Sequence, residues 1–349
     1  MKQRILYWDV IKAITIFLVI YAHGLQFFTE DKNYWQTDFI CQFIISFHMP
    51  LFMIVSGYFA RSIFQQDFIN IVKKKTLQLF VPSVTTYFFV GVIMIFLRKQ
   101  SLIGQIDNLL LNCIYSFWFL KALFIFYVFI SLCKVLYERS SISLYIFIII
   151  FMLVILNIPV QNIDFVHSLT MFPYFIIGIV FYKYKKQIFV YDKFIFIISL
   201  SIFSLMSIFW QSNEYNIYTH YIEWTTSYLL IYLVRTIIGI SGSMAMILLI
   251  RKLVNKIDNK VWIKKIGNLG NATLGIYIFQ YFIIARFINL YLIPYIHNMN
   301  IFNDTMYEDF FYDIVISPII SLLVLIICYT MVMVIRMNKI TRLIILGEK

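Results

Sequence analysis

Long apolar runs follow one another through almost the whole chain, so it can fold only where something other than water covers much of its surface. Of its 349 residues, 62% are apolar and 13% charged, whereas a soluble domain carries about a quarter charged residues. A bilayer is the solvent that suits this composition. Backbone polar groups in lipid must be satisfied within their own segment, so the runs are read as helices. After Met1-Lys2-Gln3-Arg4 the apolar stretch continues without a small-residue cleavage site, so the first segment reads as a retained anchor. The expected fold is an all-α polytopic membrane bundle of about ten transmembrane helices. Both termini are expected to be cytoplasmic, with a single membrane-embedded domain over 1–349 and no separate soluble domain.

The expected spans are 9–28, 38–60, 76–97, 115–137, 142–158, 166–183, 194–210, 224–250, 271–293 and 314–336. The eighth is long, and Gly239-Ile240-Ser241-Gly242-Ser243 marks a place where it would unwind if it lines a cavity. Lysine and arginine test the map. Segments assigned inside hold 23 of them, from Lys2 to Lys349, and segments assigned outside hold Lys32, Arg98 and Lys99. That bias is the one cytoplasmic loops carry. A cysteine placed in 299–309 is therefore expected to react with an impermeant maleimide from outside, and one in 255–262 is not. The reverse labelling would overturn the ten-span map.

The net charge of +12 is spread through short loops between spans, which argues against nucleic acid as a partner and for membrane lipid. Cys41, Cys113, Cys133 and Cys328 have no CxxC or Cys/His spacing, so no metal site is expected.

Polar groups inside the spans narrow the function, because a charge in a bilayer costs several kcal/mol by most scales. His23 falls in the first span, His48 in the second, Lys121 in the fourth, Arg235 in the eighth, and Gln280 and Arg286 in the ninth. No Asp or Glu falls deep in a span to pair with Lys121, Arg235 or Arg286. These three cations are expected to meet water, carbonyls or an anionic ligand, the plain alternative being a snorkelling cation or one bound at a helix C-terminus. The lack of a deep carboxylate weighs against a proton-coupled transporter. Lys12 and His23 are eleven residues apart, three helical turns, and share one face about 16 Å apart along the axis. Asp9 lies one turn below Lys12. This is a polar path with a candidate base, since imidazole takes and returns a proton near neutral pH. A satisfied structural histidine is the plain alternative.

The residues Tyr7-Trp8-Asp9-Val10-Ile11-Lys12 with Tyr21-Ala22-His23 resemble the first span of the bacterial acyltransferase-3 membrane family. Phe47-His48-Met49-Pro50-Leu51-Phe52 with Ser56-Gly57-Tyr58 is similar to its second. Lys73-Lys74-Lys75 before Leu79-Phe80-Val81-Pro82, Trp118-Phe119-Leu120, Phe172-Pro173-Tyr174-Phe175 with Gly178, and Thr273-Leu274-Gly275-Ile276-Tyr277 follow in the family's order.

The resemblance implies a ten-span fold and O-acylation, usually O-acetylation, of sugars in surface glycans or lipid-linked precursors. It implies an acyl-CoA donor from the cytoplasm, no permanently bound cofactor, an acceptor modified at the outer side, and a bacterial cytoplasmic membrane location. The family's catalytic histidine falls on His23, and its basic residue eleven positions earlier on Lys12, where arginine is commoner. Its paired arginines fall on Lys75 and Gln78, so one of the two positions is not basic; Lys73 and Lys74 stand in as point charges without bidentate geometry. A late histidine is replaced by Gln280. Some relatives carry an extracytoplasmic hydrolase-like domain, so a separate extracytoplasmic partner is an expected possibility for delivery of the acyl group.

Together these assign His23 as the base and Lys12, Lys73, Lys74, Lys75 and Gln78 to the donor. Asp9, His48, Trp118, Lys121, Arg235, Tyr277, Gln280 and Arg286 are assigned to acceptor binding or support. His48 has a plainer role beside Met49-Pro50, as a donor to a carbonyl that the proline frees. Two other classes stay open: a glycan-lipid flippase or exporter without acyl chemistry, and a catalytically silent membrane scaffold.

Overall fold

The computed structural model describes residues 5–27, 38–97, 113, 117–139, 146–151, 170–208, 226–257, 260–284, 288 and 311–348. Among them there is no strand. The helices are α1 (Leu6–Phe27), α2 (Phe39–Phe59), α3 (Phe68–Lys75), α4 (Val81–Leu97), α5 (Trp118–Arg139), α6 (Phe172–Val190) and α7 (Asp192–Ile208). They continue with α8 (Thr226–Lys256), α9 (Lys260–Asn271), α10 (Thr273–Phe282), α11 (Ser317–Arg336) and α12 (Lys339–Leu346). A 3-10 turn, Ala60–Gln65, leads from α2 towards α3, and π-helical turns Thr76–Phe80 and Tyr312–Ile316 precede α4 and α11.

Among the described residues six helical stretches are long and apolar enough to cross a membrane, and a bent pair made of α6 and α7 brings the number to seven. The chain is a multi-pass membrane protein. The expected spans 9–28, 38–60, 76–97, 115–137, 224–250 and 314–336 each fall on one of the six. Spans 166–183 and 194–210 fall on the bent pair. Of 142–158 only 146–151 lies within the described residues, and 271–293 is described to 284 and at 288. At 1.5 Å per residue, the 22 residues of α1 reach about 33 Å, one hydrocarbon thickness.

The expected unwinding at Gly239–Ser243 does not occur: α8 is helical throughout. The two serines return their hydroxyls to the helix, Ser241 to Ile238 O at 3.1 Å and Ser243 to Gly239 O at 2.6 Å. Their polar atoms are thus satisfied locally, and lipid or protein can surround the segment without unwinding it.

The chain groups into two compact units. The first comprises Met1–Phe52, Gln187–Tyr215 and Leu233–Val334. Its centre is α1, with α9 and α10 laid along it and Trp8, Ile11, Ile16, Ile20 and Leu25 fully buried. The second comprises Met53–Lys186, Asn216–Tyr232 and Ile335–Lys349. Its core is aromatic: Phe126, Phe172 and Phe175 are fully buried, with Phe126 5.0 Å from Phe172 and 5.7 Å from Phe175 between ring centroids. Within it α12 closes on the π-turn that follows Lys75. Asn338 caps α12 by accepting from Ile340 N at 2.8 Å, and Gly347 ends it in the left-handed conformation at φ 64°. A side chain at Gly347 would meet Gln78 Cα at 2.6 Å, so the loop sits against the backbone of that turn.

Candidate active site

Helix α1 carries the polar path expected from its spacing. Asp9 is buried and needs a cation, which Lys12 supplies at 2.8 Å. Lys12 is therefore an ion-paired lysine whose charge is offset by Asp9. Carboxylates enter the protein interior at helix ends. Asp38, before α2, accepts from Ile40 N and Cys41 N and is 8% exposed. Asp313, in the π-turn before α11, is 2% exposed, and Tyr21 donates its hydroxyl to the Asp313 carbonyl.

His23 is half-buried near the other end of α1. Its Nδ1 lies 2.9 Å from Gln280 Oε1, contributed by α10 from 257 residues away. Gln280 is 1% exposed, and its Nε2 donates to Tyr277 O at 3.3 Å, which orients the amide with Oε1 towards His23. An amide oxygen only accepts, so Nδ1 is the protonated nitrogen and Nε2 is the basic one. Gln280 thus fixes both the tautomer and the ring plane. Sequence reading placed Gln280 among support residues without a partner, because nothing local links positions 23 and 280.

His48 is buried in α2, within electrostatic reach of His23. Its Nδ1 donates to Ile44 O at 2.8 Å. The expectation of a carbonyl freed by Pro50 is corrected here: the proline leaves Ser46 O without its i+4 donor, whereas His48 bonds the carbonyl one turn before itself. Tyr277 and Arg235 are buried in the same unit. Arg286 lies outside the described residues.

The other candidate residues belong to the second unit. Lys73 and Lys74 are exposed at the end of α3, while Lys75 turns inward and sets its Nζ 3.7 Å over the Tyr127 ring. A desolvated lysine gains from that aromatic face. Gln78 sits in the π-turn immediately after, half-buried; such turns often mark functional sites. Lys121 donates to Cys113 O at 2.9 Å, a carbonyl being one of the partners expected for it. Trp118 is half-buried at the start of α5.

Sequence reading missed Tyr127 and a basic-aromatic group on α6. There Arg61 donates to Tyr182 Oη at 2.6 Å, and Lys185 Nζ lies 4.2 Å over the same ring. A positive-inside loop count included Arg61 and Lys185 but gave no reason to single them out.

Among the described residues no group of three or more His, Cys, Asp and Glu is arranged to hold a metal. What the first unit assembles is an oriented imidazole in a partly covered site. Such a group accepts a proton from a hydroxyl and returns it to a leaving group.

Comparison with known proteins accords with this chemistry. Residues 5–336 match the acyltransferase-3 family, described as "Acyltransferase domain". The chain is similar to nodulation protein NolL of Mesorhizobium japonicum, 32% identical over 151 residues, covering 42% of this chain and 39% of that protein. NolL of Sinorhizobium fredii is 36% identical over 84 residues, 23% of each chain. The matches thus span well under half the length of these curated relatives, and no solved structure matches. A family match over nearly the whole chain, on a bundle of apolar helices, places this protein in the acyltransferase-3 family of membrane proteins.

Proposed function

We propose that this protein is a membrane O-acyltransferase that moves an acyl group, most simply acetyl, from cytoplasmic acyl-CoA to a sugar hydroxyl of a surface or lipid-linked glycan in the bacterial cytoplasmic membrane. The observation that carries the reading is the His23–Gln280 pair at 2.9 Å, which leaves Nε2 as the basic nitrogen of a half-buried imidazole. In the proposed reaction Nε2 takes the acceptor hydroxyl proton as the oxygen attacks the thioester carbonyl. The C–S bond then breaks, and the imidazolium returns its proton to the departing thiolate. Oxyanion stabilisation needs donors or positive charge near the carbonyl, for which Arg235 and Arg286 are the proposed sources, with Trp118, Lys121 and Tyr277 on the acceptor. Lys73, Lys74, Lys75 and Gln78 are proposed to meet the CoA phosphates. Lys12 contributes less there than its charge suggests, being paired with Asp9.

The test is transfer of label from radiolabelled acyl-CoA to lipid or glycan in vesicles containing the protein. Label transferred by wild type and lost in His23→Ala supports the enzyme. Movement of a glycan lipid without label transfer identifies an exporter.

The donor assignment has its own expected result. Lys73, Lys74 and Lys75 replaced together by Gln weaken acyl-CoA binding, at about 1 kcal/mol per charge near a membrane surface, or roughly a hundredfold in total. Added salt weakens wild-type binding in the same direction. Unchanged apparent affinity in the triple variant would remove these lysines from the donor site.

A further inference from the structure

Helix α9 has two unlike faces. Ile263, Gly267 and Gly270, spaced by four and three residues, are buried against α1. A side chain at Gly270 would overlap the Asp9 carbonyl, so the two helices touch backbone to backbone beside the Asp9–Lys12 ion pair. The opposite face exposes Val261 at 61%, Trp262 at 63% and Ile266 at 40%, interleaved with exposed Lys260, Lys264 and Lys265. Lys265 Nζ stands 4.6 Å over the Trp262 ring. The end of α8 continues the pattern, with Leu253 and Ile257 exposed among Lys252 and Lys256.

Neither water nor the hydrocarbon core suits this face. Water leaves the tryptophan and branched side chains uncovered, and hydrocarbon leaves the lysines unsolvated. Headgroup depth suits both, with the apolar side chains at the acyl boundary and the ammonium groups on phosphate. Chain geometry puts α9 at that depth. It starts four residues after Lys256, where a membrane-spanning stretch ends. Four residues reach at most about 14 Å, so the first turn of α9 stays at the membrane surface. The charge is nearly of one sign: between 251 and 271 the chain has six basic residues and one acid, Asp258. Of the six, Arg251 is engaged by Asp192 at 3.0 Å.

We infer that α9 is an interfacial helix that docks on anionic phospholipid headgroups, and that its backbone contact at Asp9 makes acyl transfer depend on them. The second half rests on the acyltransferase reading; the first does not. Lipid binding would hold α9 against the α1 backbone at Asp9 and so keep the Asp9–Lys12 pair covered.

The full-length chain is reconstituted in phosphatidylcholine vesicles with and without phosphatidylglycerol. It is examined as wild type and as Val261→Cys carrying an environment-sensitive fluorophore, the native cysteines Cys41, Cys113, Cys133 and Cys328 being buried. Expected results are a blue shift on adding phosphatidylglycerol and a several-fold rise in labelled acyl transfer. Combining Lys260→Gln, Lys264→Gln and Lys265→Gln abolishes both increments and leaves transfer in neutral vesicles unchanged. Equal emission in the two vesicle types overturns the docking. Stimulation by soluble glycerol phosphate overturns a lipid source. A blue shift with equal transfer in both vesicle types overturns the coupling through Asp9. A blue shift with no transfer in any vesicle leaves the docking standing and removes the acyltransferase reading beneath the coupling.

Discussion

His23→Gln is expected to lower acyl transfer by about 10² to 10⁴, the usual loss on removing a general base, while acyl-CoA affinity stays at the wild-type level. Gln fills similar space and stays polar, so the helix keeps its packing, but an amide does not accept a proton near neutral pH. His23→Ala is expected to be as inactive. The partner residue gives a graded version of the same experiment. Gln280→Leu leaves Nδ1–H without its acceptor at 2.9 Å and releases the ring from its fixed plane. Loss of such an orienting contact is expected to cost about 10- to 100-fold in kcat, with little change in acyl-CoA affinity. His48→Gln is the control. Its Nδ1 is used by Ile44 O within its own helix, so its loss is expected to affect stability more than turnover. Near wild-type turnover in His23→Gln together with a dead His48→Gln would mean that the base has been assigned to the wrong imidazole.

The second large effect concerns packing rather than chemistry. In the second unit Gly57 of α2 and Gly178 of α6 face each other. A Cβ at Gly178 would come within 2.8 Å of Gly57 Cα and overlap the Ile54 carbonyl; one at Gly57 would overlap the Phe175 carbonyl. The obstructing atoms are backbone on both sides, so no rotamer change relieves the overlap. Lipid offers little drive for helix association, and close backbone approach through small residues supplies it instead. Gly57→Leu or Gly178→Leu is expected to separate the helices, at a cost of at least about 3 kcal/mol, beyond the usual range for overpacking. The readout is thermal aggregation and the yield of monodisperse protein in detergent. A Gly178→Leu protein with wild-type melting behaviour would show that the two helices do not need this contact.

These two experiments separate what each motif of the sequence carries. The segments Ser56-Gly57-Tyr58 and Phe172-Pro173-Tyr174-Phe175 with Gly178 entered as signs of a family; the fold gives them a physical reason, one helix crossing. The histidine eleven residues after Lys12 entered as a candidate base, and the fold supplies the group that orients it. The loop lysines entered as topology markers. In the fold Lys75 is set apart from Lys73 and Lys74 by a tyrosine 52 residues further on, one of 25 in the chain.

The sequence by itself determined the solvent, the secondary-structure class, the family and the face of α1 that carries Asp9, Lys12 and His23. All of these follow from apolar run length, charge placement, local motifs and the 3.6-residue period, quantities that depend on near neighbours along the chain. Only the tertiary structure decided that Gln280 orients His23 and that Lys75 stacks on Tyr127. Whether α9 turns its lysines or its glycines to α1 was likewise settled in three dimensions. Each of these depends on which helices lie side by side. In an apolar bundle nearly every helix face is greasy enough to be a partner, so hydrophobic pattern does not discriminate among them. The choice falls to small-residue contacts and a few polar pairs, whose members lie far apart in the sequence.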